Sequence, residues 1–235
     1  MSIFKQLSEN KGTVSSALGK ELAQMVLQES RIDILLECID LSTYQASSPV
    51  SKNIRSGAAK VVEIVAEKQP ELVAPHLEKL IPALAAEEPQ TRWMIIRVMG
   101  FCALLNKPVA YKALAYAEKY IAAKEGLIIA SSADLYLGDL GAISREDARV
   151  VFPLLEQSME KPIENEQDWL LEALFKVFHN LDKAEQDRVL RFGERWQYSA
   201  RKSTQQRAKR ILRMRGSQQA ASNPGTDRGR SPSSG

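Results

Sequence analysis

The side chains of this sequence able to do chemistry are few and widely scattered. Metal binding needs His, Cys or carboxylates gathered in space, and the chain has only His76 and His179, far apart, with no C-x-x-C and no H-E-x-x-H. Nucleophilic catalysis fares no better, because there is no G-x-S-x-G and neither Cys38 nor Cys102 has a histidine nearby. Phosphate-cradling glycine loops are missing too, so the sequence predicts neither a metal nor any other cofactor. What remains is recognition chemistry. Trp93 and Trp169 offer faces for stacking, and Lys60, Arg97, Lys176, Arg210 and Arg213 offer cations for ion pairs and cation–π contact with a peptide or a nucleic acid. One carboxylate, Asp134, falls between the two tryptophans along the chain and is the single candidate catalytic acid.

Charge is unevenly spread. Residues 188–215 hold ten Lys or Arg against one acid, Glu194, a local charge of +9, although the whole chain carries only +3. The body before them is therefore acidic, and the last helices are basic. Arg201, Lys202, Arg207, Lys209 and Arg215 form a basic C-terminal patch that suits nucleic acid or an acidic protein surface, or simply a solvated helix pairing with the acidic body.

With 44% hydrophobic residues and only 12 Gly and 10 Pro, the chain reads as globular and helix-rich rather than fibrous or disordered. No run of eighteen apolar residues occurs, and the opening MSIFKQLSENKG lacks the apolar stretch of a secretory signal, so no membrane span is predicted. Cys38 and Cys102 lie in apolar helical runs, where a reduced thiol behaves as a small hydrophobe, and a cytoplasmic location is the expectation.

Positioning these residues is the task of helices. Helical periodicity recurs in segments broken at Ser30, Pro49, Pro70, Pro89, Pro108, Gly126, Ser144, Pro162 and Asp182. Aligning the second helix of each pair gives five equivalent starts, Arg55, Arg92, Ala130, Asp168 and Gln205, spaced 37, 38, 38 and 37 residues apart. At offsets three, six and seven from each start stand Ala58, Val61 and Val62; Ile95, Val98 and Met99; Ala133, Tyr136 and Leu137; Leu171, Leu174 and Phe175; and Ala208, Ile211 and Leu212. One helical face is apolar in all five units and is predicted to be buried. Pro75, Pro82 and Pro153 fall inside the first helices and predict bends there.

Residues 53–103, with a proline near the first helix, Arg55 or Arg92 opening the second, a small or apolar residue three later and the run Val98-Met99-Gly100, resemble two consecutive HEAT or armadillo repeats. The resemblance implies an all-α fold, a right-handed α-α superhelix of about five helix pairs, with second helices lining a concave surface and no inherent chemistry. Residues 1–29 are expected to form an N-terminal capping helix region, 30–215 the repeat array and 216–235 a disordered tail, since GSQQAASNPGTDRGRSPSSG has little apolar surface to bury. Arg55 and Arg92 are expected to reach a carboxylate of a neighbouring unit. Ala130 and Gln205 stand where the third and fifth units should carry Arg, so any such ladder should break there.

Offsets one, five and eight point away from the apolar stripe, which assigns Lys60, Trp93, Arg97, Trp169, Lys176, Arg210 and Arg213 to the concave surface, alongside Ser56, Glu63, Gly100, Ser131, Leu135, Gly138, Ala173 and Gln206. Both tryptophans have a second reading as plugs between helix pairs. The expected function is a non-enzymatic scaffold or adaptor holding a protein partner on that face. The alternative is a nucleic-acid-binding protein acting through the basic patch. Within that alternative, an acid flanked by aromatics is similar in outline to the HEAT-like alkylpurine DNA glycosylases, and the resemblance would make Asp134 the carboxylate that supports base loss. Their diagnostic sequence around the acid is missing from SADLYLGDL.

Overall fold

The structure, a computed structural model, describes residues 2–10, 17–45 and 49–222. Helices α1 (Ile3–Glu9), α2 (Ala17–Glu29) and α3 (Ile32–Leu41) lead into α4 (Pro49–Lys68) and α5 (Pro70–Val73), which tightens into a 3-10 helix over Ala74–Ala85. Next come α6 (Pro89–Phe101), α7 (Lys107–Ala110), a 3-10 turn at Tyr111–Ala113, α8 (Leu114–Ala123) and α9 (Leu127–Gly141). The chain continues through α10 (Arg145–Glu160), α11 (Gln167–Val177), a 3-10 turn at Phe178–Asn180, α12 (Lys183–Trp196) and α13 (Lys202–Ser222). No strand occurs among the described residues, and no helix among them is long and apolar enough to cross a membrane.

Local chemistry sets the boundaries. Pro70 and Pro89 open their helices at a position where a missing N–H costs nothing. Ser144 caps α10 by accepting from the Asp147 amide, and Asp182 with Glu185 forms a reciprocal capping box on α12. Gly126, at a φ of 151° closed to other residues, turns the chain into α9, so the apolar LIIA run at 127–130 becomes helix. Of the three helix-interior prolines, Pro75 and Pro82 lie in the stretch that abandons α geometry for 3-10, while Pro153 is accommodated inside α10.

Packing is sequential. The second helices α4, α6, α9, α11 and α13 lie side by side in that order, each against the next, and the first helices form a second layer over them. α1 and α2 both pack on α4 at the N-terminal end. The apolar stripe lies between the layers: every residue at offsets three, six and seven is buried except Phe175 and Leu212, which are half-buried near the open C-terminal end. The result is an all-helical solenoid with one continuous core.

α13 runs on through Ser222, seven residues into the segment expected to be disordered, consistent with the good helix propensity of Gln and Ala in GSQQAAS. The rest of that segment, 223–235, lies outside the described residues.

Candidate functional site

Residues at offsets one, five and eight share a face of the second-helix layer, but that face is not an open row of side chains. Only in α13 are they exposed, at Gln206, Arg210 and Arg213. Lys60, Glu63, Trp93, Leu135, Trp169 and Lys176 are half-buried, and Ser56, Arg97, Gly100, Ser131, Gly138 and Ala173 are buried. The reason is close helix approach. A Cβ added at Gly138 would stand 2.7 Å from Ala173 Cα, and one at Gly100 would stand 3.3 Å from Tyr136 Cα. Small residues at these offsets bring neighbouring backbones together and shut the spaces between them.

Of the expected cations on this face, Lys60, Arg97, Lys176 and Arg210 are already partnered, and Arg213 has no ion pair among the described residues. Asp139 of α9 accepts from Arg97 of α6 at 2.9 Å and from Lys176 of α11 at 2.5 Å, so one carboxylate ties three helices. Lys60 of α4 pairs with Glu63 at 2.7 Å and stands 5.6 Å from the ring centroid of Trp93 on α6. At the other end Arg210 pairs with Glu172 of α11 at 3.0 Å and lies 3.4 Å from the Phe175 ring centroid, while Arg207 sits 5.2 Å from Trp169. Charge and aromatic faces therefore alternate from helix to helix in a mixed strip, not in a continuous positive groove. Asp139 and Glu172 were missed in the sequence because they fall at offsets nine and four, just outside the selected rows.

The basic patch divides in two. Arg201 is half structural: its guanidinium donates to Asp168 at 2.8 Å and to Asn165 at 3.0 Å, across a repeat junction. Arg215 pairs with Glu194. Lys202, Lys209 and Arg213 are exposed and have no ion pair among the described residues.

Between repeats runs a ladder of charge. Arg55 grips Glu88 with two nitrogens at 2.9 and 2.7 Å and donates a third bond to the Tyr44 carbonyl. Arg92 reaches Glu125 at 2.6 Å. Burial pushes the Glu88 carboxyl up, but hydrogen bonds from Arg55 and Thr91 outweigh it and hold it below the usual glutamate range. The third unit breaks the ladder at Ala130, as its sequence implies. The fourth restores it with inverted polarity, Asp168 at the opening position and Arg201 as partner, again 33 residues on. That shared spacing of opposite charges, 55 to 88, 92 to 125 and 168 to 201, was the sequence signal for these pairs.

Asp134 is not on the ridge between the tryptophans. It is fully buried, and no hydrogen-bond donor among the described residues reaches either carboxylate oxygen. Its neighbour is the carboxyl of Glu166, itself 3% exposed and held by the Ile163 amide at 2.5 Å. Burial, then the Glu166 charge, raises Asp134 well above the aspartate range; burial also raises Glu166. Offset four is buried in each of the first three units, at Ala59, Ile96 and Asp134, so this acid is enclosed in the layer. Among the described residues no group of three or more His, Cys, Asp or Glu could hold a metal.

No protein-family model matches the sequence, and none of the curated proteins does. Among solved structures, a designed armadillo repeat protein superimposes with a TM-score of 0.62 at 13% identity, covering 89% of this chain and 90% of its own. An engineered protein superimposes with a TM-score of 0.57 at 12% identity, covering 85% of this chain and 96% of its own. The fold is that of HEAT/armadillo-like helical repeats, and at such identities the likeness extends to fold alone.

Proposed function

We propose that the chain is a non-enzymatic repeat scaffold whose second-helix face holds a protein segment. The observation that carries this reading is the partnered, mixed character of that face. Lys60, Arg97, Lys176 and Arg210 are matched by Glu63, Asp139 and Glu172, so a polyanion gains little there. A peptide can use the half-buried faces of Trp93 and Trp169 as apolar anchors and exchange hydrogen bonds with the paired charges around them. A cytoplasmic setting fits the two buried free thiols, Cys38 and Cys102, each pushed up to about 12 by burial and so held as inert thiols. The test is a selection of short displayed peptides on the full chain, re-measured on Trp93→Ala and Trp169→Ala. Selected peptides should lose about tenfold or more in affinity, the scale of a truncated aromatic anchor. Peptides indifferent to both substitutions would remove the assignment.

One observation favours a second reading. Lys202, Lys209 and Arg213 are exposed cations without an ion pair, in the most basic helix of the chain. If they serve nucleic acid, affinity for duplex DNA or RNA should fall steeply between about 50 and 200 mM salt and flatten when the three are neutralised. Glycosylase chemistry is the least favoured version, because Asp134 is enclosed; release of bases from alkylated DNA, lost in Asp134→Asn, would reinstate it.

A further inference from the structure

The third junction, where the ladder is broken, also carries a cleft with a carboxyl among its lining residues. At the junction between the third and fourth units, a cleft of about 520 Å³ opens between α8 and α10, the first helices of those units. Ile121 and Leu154 contribute apolar surface, and Glu166 lines it with its carboxyl joined to Asp134. Ser158 also lines it; the residue is 7% exposed, and its hydroxyl has no hydrogen-bond partner among the described residues, although a helical serine ordinarily bonds back to a carbonyl of its own helix. A buried hydroxyl and the Glu166 carboxyl thus line one cleft; the charge of Lys124 at the rim acts on Glu166, but no ion pair to Glu166 occurs among the described residues.

We propose that this cleft binds a guanidinium group on an aliphatic stem. A guanidinium suits the donors required: it is planar, permanently charged and able to reach Glu166 and the Ser158 hydroxyl together, as Arg55 reaches Glu88 and the Tyr44 carbonyl. The methylenes of the stem fit Ile121 and Leu154. Lys124 and Lys161 follow the last residues of α8 and α10 at the mouth. Lys124 already places its ammonium on the Lys161 carbonyl at 3.0 Å, a cation held at this helix end. Both lysine side chains are exposed on the rim, where solvent screens them from an entering charge.

The site lies on the first helices and stands apart from the second-helix face, so its failure leaves the scaffold reading untouched. The experiment is calorimetric titration of the full chain with butylguanidinium chloride and, in a second arm, with acetyl-Gly-Arg-Gly-amide, each against tetramethylammonium chloride at equal ionic strength. Saturable binding of at least one ligand is expected, weakened about tenfold or more in Glu166→Gln and in Ala122→Trp, the latter filling the mouth from an exposed position. Stronger binding of the peptide identifies the source as an arginine of a protein segment, and stronger binding of butylguanidinium identifies a free small molecule. Heats of dilution alone in both arms, or affinity unchanged in Ala122→Trp, would overturn the proposal.

Discussion

The junction at Arg55–Glu88 and the junction at Asp134–Glu166 both bury a carboxylate between repeats, and they give it opposite company. Glu88 receives a bidentate guanidinium and the Thr91 hydroxyl, so its ionised form is held in place. Glu166 receives one backbone amide and another acid. Where the first two units open with Arg and meet a glutamate 33 residues on, the third opens with Ala130 and has Ile163 at that spacing. A repeat fold tolerates this because each junction is a nearest-neighbour affair, and stability lost at one is not transmitted to the others. Buried charge therefore stabilises one interface and weakens the next within the same architecture.

The sharpest way to break the comparison is to remove one partner at each junction. Arg55→Ala strands Glu88, 7% exposed, without its cation, and should cost about 3 kcal/mol in urea denaturation. Glu166→Gln removes one of two neighbouring acids that have no ion pair among the described residues, so stability should stay level or rise. Equal losses from the two substitutions would mean that company does not matter and that the contrast is geometric.

Backbone spacing gives a second contrast, of the next size. A Cβ at Gly57 would meet only the flexible end of Leu7, at 2.8 Å, whereas one at Gly138 would meet Ala173 Cα at 2.7 Å and its carbonyl oxygen at 3.2 Å. Gly138→Ala should therefore cost about 2 kcal/mol by overpacking, and Gly57→Ala far less, since a leucine terminus can turn aside. Thermal unfolding of the two variants side by side decides it; a cheap Gly138→Ala would show that α9 and α11 can part without penalty.

Much of this was legible in the sequence, and the failures have a common cause. The 37- to 38-residue rhythm and the apolar offsets gave the helix order, the stacking and the buried stripe, because burial of one face repeats with the period of the unit. Arg55 and Arg92 were readable as junction residues, and Ala130 as a break. Depth within the inner layer was not readable. Gly100, Gly138 and Ala173 look like unremarkable residues at outward offsets, yet they set how closely α6, α9 and α11 approach. Asp134 and Glu166 are 32 residues apart and carry like charges, so no rule for attracting pairs would have joined them.

Titration sharpens the same comparison with opposite slopes. Asp134 is raised by burial, so between the ordinary aspartate value and the raised one the folded chain keeps a proton that the unfolded chain has lost, and stability falls as pH rises. Glu88 and Asp168 are lowered, Asp168 because bonds from Thr204, Ser203 and Arg201 outweigh its burial. Their contribution is present above the unfolded values and is lost as pH drops through the lowered ones. Asp134→Asn should keep the acid limb of a stability–pH curve and flatten the falling limb above it, by no more than about 1.4 kcal/mol per pH unit for one proton. An unchanged falling limb would mean that Asp134 is not raised in the folded chain.

The smallest expected effect tests whether burial, and not ion pairing as such, separates the junctions. Lys52 and Glu87 lie beside Arg55 and Glu88 at the same interface, 3.3 Å apart, with side chains 52% and 78% exposed against 13% and 7% for the inner pair. Water screens the outer pair and the long lysine loses rotamer freedom in making it, so Lys52→Ala should change stability by about 0.5 kcal/mol or less. The same interface would then contain one ion pair worth several times the other, ranked by exposure alone. A loss from Lys52→Ala approaching that from Arg55→Ala would instead mean that Lys52, Arg55, Glu87 and Glu88 act as one network. Glu166 would then be unusual for lacking such a network as well as a cation, and Ala130→Arg alone would not be enough to restore the third junction.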